Sequence, residues 1–131
     1  MITRPLFAAR FATGTPNVPA HVMAAEGYRI LAEAGVAAIR AKSLRQTARL
    51  LDGFLAQGAV VRGPADVHRR GGSVVVDFDG AERVTGELIA RGYTCDYRPG
   101  AGLRLGPHLY TTDDECDAVV AEVAALRGRP A

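Results

Sequence analysis

A chain of 131 residues with 48% hydrophobic and 23% charged residues has the composition of one ordinary globular domain, able to bury a core without disulfides or metal. Its formal net charge of +2 and its scattered arginines leave no basic stripe of the kind that binds nucleic acid, and no apolar run approaches the ~20 residues that span a membrane. Cys95 and Cys116 read as free thiols, and residues 1–6 lack the charged-then-apolar pattern of a secretion signal, so the cytoplasm is the expected compartment.

Residues 1–17 read as an extended arm, broken up by Pro5, Gly14 and Pro16, and residues 18–131 as a single domain. From about Pro19 the apolar positions Met23, Gly27, Ile30, Leu31 and Ala34 have helical spacing, with Gly35 as the break. A second helix carries Val36, Ile39, Ser43, Thr47, Leu50, Leu51 and Phe54 on one face and Arg40, Arg45, Arg49 and Asp52 largely on the other. It should stop near Gln57 and Gly58.

The period then changes. Residues 59–62 form a short strand candidate, and residues 73–78, rich in valine after Gly71 and Gly72, a better one. Asp79 with Glu82 resembles a capping box ahead of a third helix whose apolar stripe is Val84, Leu88 and Ile89. Residues 93–97 alternate as a strand should, residues 99–102 read as a turn, and residues 103–105 as a short strand after it. Thr112, Asp113, Asp114 and Glu115 combine a hydroxyl cap, a glutamate at the third helical position and acids at the positive end of the dipole. Behind them Cys116, Val119, Val120, Val123 and Leu126 make a buried face. This order predicts an α+β fold: a small, mainly antiparallel sheet of about four strands covered by helices on one face.

The residues alone show no self-contained catalytic constellation. His21, His68 and His108 have no cysteine or carboxylate at metal-ligand spacing, so no metal site is expected. Lys42 is the only lysine, so any Schiff-base chemistry on this chain would have to use it. Two segments nevertheless look specialised. Residues 12–17 are polar and turn-rich just before a helix, a setting that suits either a phosphate or a plain N-terminal cap. In the second segment, residues 96–110, Arg104 stands between Leu103 and Leu105. If both leucines are buried, Arg104 points the other way, to solvent or into a cleft, and its guanidinium fork would suit a carboxylate.

The segment Gly14-Thr15-Pro16, the helix Ile39-Arg40-Ala41-Lys42-Ser43-Leu44-Arg45-Gln46-Thr47, and the closing run from Gly92 to Pro99, then Leu103-Arg104 and Pro107-His108-Leu109-Tyr110, together resemble the C-terminal small domain of kynureninases and related class V aminotransferases. Pro-His-Leu-Tyr-Thr-Thr at 107–112 is also what many class V aminotransferase relatives carry. The resemblance implies a fold-type-I enzyme dependent on pyridoxal phosphate (PLP), a homodimer acting on an amino-acid substrate as a hydrolase or transferase. It further implies that Arg104 binds the substrate α-carboxylate. Thr15, with Gly14, would lie near the cofactor phosphate of the neighbouring subunit, and Lys42 would be structural. The Schiff-base lysine would belong to a separate, PLP-binding large domain, so that no catalytic residue is assigned to this chain and no PLP is expected to attach to it covalently. The other expectation is a non-catalytic assembly or regulatory module derived from the same domain.

Overall fold

The computed structural model describes residues 14–64 and 66–128. The chain divides into two compact units, Met1–Val36 and Ala37–Ala131. Within the first, residues 1–13 of the expected arm lie outside the described residues. Helix α1 spans Val18–Ala34. Asn17 caps it, its side-chain oxygen accepting from the Ala20 amide at 3.2 Å. Gly35, at φ +79°, ends it by donating to the Leu31 carbonyl at 3.0 Å. Met23, Tyr28 and Ile30 are exposed along it.

In the second unit, helix α2 (Val36–Ala56) leads into a four-stranded sheet made of β1 (Val60–Val61), β2 (Val74–Asp77), β3 (Asp96–Arg98) and β4 (Gly102–Leu105). The spatial order is β1-β2-β4-β3 and every pairing is antiparallel. Helix α3 (Ala81–Ala90) joins β2 to β3, and α4 (Asp113–Arg127) follows β4. The expected α+β architecture is therefore the observed one.

The core lies where Leu50, Leu51 and Phe54 of α2, Val84 and Leu88 of α3, and Cys116, Val119, Val123 and Leu126 of α4 meet the inward residues of the sheet. Those residues are Val74 and Val76 of β2 and Leu103 and Leu105 of β4, alternating as the pleat requires. Burying each large apolar side chain contributes roughly 1.5–3 kcal/mol before entropy is counted, so this cluster is the main driving force of the unit.

Local structure departs from the sequence pattern in three places. The buried face of α2 omits Val36, which is exposed, and includes Gln46, which is not apolar. Gln46 is buried because its amide donates to the Thr111 carbonyl at 2.8 Å and to Asp113 at 3.0 Å, tying α2 to the start of α4. Helix α3 begins one residue late for a box between Asp79 and Glu82. Gly80, at φ +77°, takes the cap position, with no side-chain cap bond. The box at α4 is present as read: Thr112 accepts from the Glu115 amide at 3.1 Å and Glu115 accepts from the Thr112 amide at 2.6 Å. Finally, β3 starts at Asp96 rather than at Tyr93, since residues 93–95 have no ladder partner.

Candidate functional site: an arginine on the open face of the sheet

The site is built by a hairpin. Strands β3 and β4 are joined across residues 99–101, with Ala101 donating to the Arg98 carbonyl at 2.9 Å and Gly100 at φ +74°. The register is symmetrical about Gly100, with Arg98 opposite Gly102, Tyr97 opposite Leu103 and Asp96 opposite Arg104. Because Leu103 and Leu105 are buried in the core, Arg104 is carried to the face of the sheet that these helices leave uncovered, beside Val75 of β2.

Gly102 fixes how close β4 comes to β2. Its φ is +104°, and a Cβ there would sit on the Val76 carbonyl oxygen and 2.8 Å from the Asp77 Cα. Only glycine satisfies both the backbone angle and the approach.

The Arg104 guanidinium does not stand free. Its Nε donates to Asp96 Oδ1 at 2.8 Å and its Nη2 to Oδ2 at 3.1 Å, a two-pronged grip from the residue directly across the ladder. Arg98 Nε approaches the same carboxylate at 2.7 Å. The hydrogen bonds from Arg104, reinforced by the charges of both arginines, hold the Asp96 carboxyl below the usual carboxylate range. Asp96 and Arg104, with Ser73, Thr94, Cys95 and Gly106, line a recess of about 440 Å³. Burial first, then the Asp96 charge, pushes the Cys95 thiol up, so it is not an activated nucleophile.

Asp96 has no assigned role in the sequence reading. The signal was present: a three-residue turn centred on Gly100 sets the two residues opposite each other, and opposite charges at paired positions attract.

The other expected residues fall elsewhere. Gly14 and Thr15 form the exposed bend ahead of α1, in the first unit. Few amides of that helix start are available to a ligand. Pro19 has none, Ala20 donates to Asn17 Oδ1, and His21 donates to the Asn17 carbonyl at 3.1 Å. Lys42 on α2 is half-buried, and its ammonium donates to the Leu109 carbonyl at 2.7 Å. No helix among the described residues is long and apolar enough to cross a membrane.

Two solved structures share the fold. A cysteine desulfurase from Thermococcus onnurineus superposes with a TM-score of 0.79 at 19% identity, covering 91% of this chain and 33% of the other. A NifS-like protein does so with a TM-score of 0.73 at 20% identity, covering 95% and 39%. Among curated proteins, the kynureninase of Geobacillus thermodenitrificans is 32% identical over 123 residues, 90% of this chain and 29% of that enzyme. The kynureninase of Bacillus anthracis is 31% identical over 113 residues, 82% and 26% respectively. The chain thus spans less than a third of the length of these relatives. The model of the kynureninase C-terminal domain matches residues 39–123, which contain the whole sheet, the hairpin and Arg104, and the chain belongs to that family.

Proposed function

We propose that this chain is the C-terminal domain of a PLP-dependent enzyme acting on an amino acid, either a kynureninase-like hydrolase or a class V aminotransferase, and that Arg104 takes the substrate carboxylate. One observation carries this reading. In a chain of the kynureninase C-terminal family, an arginine is carried by a hairpin to the open face of the sheet, at a recess, already holding a carboxylate in two-pronged geometry. The Asp96 carboxylate held in the guanidinium fork supports this reading.

The cofactor would supply the electron sink for the bonds broken at the substrate α-carbon. The chain's own contribution is to bind and orient. Thr15 offers an exposed hydroxyl, with the Gly14 backbone beside it, to the cofactor phosphate of a neighbouring subunit in a homodimer. With the helix-start amides of α1 largely engaged, the contact is a hydroxyl bond rather than an amide cradle. Among the described residues nothing lies within 4 Å of the position a Cβ would take at Gly14. Lys42 is structural, its ammonium closing the loop after β4 onto α2, and the Schiff-base lysine belongs to a separate PLP-binding large domain.

The test is a graft. This chain replaces the matching segment of the Geobacillus thermodenitrificans kynureninase, and turnover of L-kynurenine is measured with PLP present. An active graft is expected. Arg104→Lys keeps the charge but loses the fork, and should weaken substrate binding by about 1.5–3 kcal/mol, read as a raised KM. An active graft whose KM ignores that change would remove Arg104 from the site. A folded, dimeric but inactive graft would favour the non-catalytic module.

A further inference from the structure

We infer that Asp96 is a positioning residue for Arg104: it grips one edge of the guanidinium and leaves the adjacent edge to an incoming carboxylate. The inference rests on the reading of Arg104 as the carboxylate-binding group.

An arginine side chain has five N–H donors in one plane, arranged so that a carboxylate fits either the Nε/Nη2 edge or the Nη1/Nη2 edge. Asp96 occupies the first edge with both of its oxygens, at 2.8 and 3.1 Å. Two parallel bonds fix the plane and the tilt of the group, which a single bond would leave free to swing. The second edge, Nη1 with the outer hydrogen of Nη2, faces away from Asp96 by the geometry of the group itself. Asp96 is anchored in turn. It sits on β3 directly opposite Arg104, and Arg98 Nε holds its Oδ2 at 2.7 Å. Two guanidinium groups and one carboxylate leave this cluster with one net positive charge, so it still attracts an anion. Arg98 lies opposite Gly102, which has no side chain, so no side chain at that register position intervenes between the strands.

The arrangement has a rival meaning. If an incoming carboxylate must take the Nε/Nη2 edge, Asp96 is a competitor, and removing it would tighten binding. The two meanings predict opposite signs.

The experiment uses the full chain, labelled with nitrogen-15, and follows the Arg104 side-chain N–H signals during titration with L-alanine as the probe. The signals are assigned by their loss in Arg104→Lys. In the wild-type chain, alanine should move the Nη signals and leave a sharp Nε–H signal in place. In Asp96→Asn the Nε–H signal should broaden and the alanine Kd should rise on the order of tenfold, short of the ~10²-fold that a 1 Å misplacement can cost. Asp96→Glu, which keeps both oxygens and the charge, should recover part of the affinity and the sharp signal, which a general loss of structure would not allow. A lower Kd in Asp96→Asn would make Asp96 a competitor and overturn the inference, as would an unchanged Kd with an unchanged Nε–H signal. If alanine moves no Arg104 signal in the wild-type chain, the carboxylate-site reading itself fails, and the inference with it.

Discussion

Replacing Gly102 by alanine should be far more damaging than the same change two residues earlier at Gly100, and the difference can be worked from the backbone. Both glycines have positive φ, +104° at Gly102 and +74° at Gly100. At Gly100 nothing among the described residues lies within 4 Å of the added methyl group, so the cost is conformational alone, roughly 1–2 kcal/mol. At Gly102 the angle lies further from the left-handed well, costing roughly 1–3 kcal/mol. The methyl group also meets the Val76 carbonyl and the Asp77 Cα, which are ladder backbone and cannot rotate aside. Overpacking of that kind adds about 1–3 kcal/mol, so the total is about 2–6 kcal/mol, relieved only by moving β4 away from β2. At roughly 4–8 °C per kcal/mol for a small domain, Gly102→Ala should lower the melting temperature by tens of degrees or prevent folding, and Gly100→Ala by about 10 °C. Thermal unfolding followed by far-ultraviolet circular dichroism measures both. Equal, small shifts in the two variants would refute the claim that the approach of β4 to β2 demands glycine.

Other expectations follow from the same contacts. Thr112→Ala removes the hydroxyl half of the α4 capping box and should cost about 1 kcal/mol, a shift of several degrees in the same measurement. Asp96, Asp113 and Asp117 are held below the usual carboxylate range chiefly by hydrogen bonds from Arg104, Arg45 and Arg49. A carboxyl depressed in the folded state stabilises fully above its unfolded value of about 3.9 and loses that contribution as pH falls through the folded value. The urea midpoint should therefore be flat from pH 8 to about 5 and fall below about 4, less steeply in the double variant Asp113→Asn, Asp117→Asn. Cys116 is 2% exposed and its thiol is pushed up by burial, so a disulfide-exchange dye should miss it in the native chain. Cys95 should react slowly, and two fast equivalents would contradict the buried position of Cys116.

Much of the fold was legible because its signals are local. The valines of β2 stop at Asp77, the glycines at 58, 80 and 92 carry the positive φ angles that end or start helices, and Thr112 with Glu115 announces α4. Gln46 was not legible. Its place in the core depends on the Thr111 carbonyl 65 residues away, and no helical period anticipates a buried amide. Val36 fits the apolar period of α2 and is nevertheless exposed, because periodicity states which face a residue shares and not what covers it. At the site, the direction of Arg104 followed from its buried neighbours. Its partner did not, because reading Asp96 opposite it required the register of the hairpin, which the sequence fixes only once the turn is known to hold three residues.

That register gives the turn after Arg98 a second meaning. Strand side chains alternate with period two, so one residue gained or lost between Arg98 and Gly102 would shift the pairing by a single step. Because β2 and the buried Leu103 and Leu105 hold β4 in place, the edge strand β3 would slip, and Asp96 would no longer face Arg104. The pairing of Asp96 with Arg104 is therefore specified by a chain length as much as by side chains. Chains that keep this pairing should accept varied residues at 99 and 101 but no insertion there.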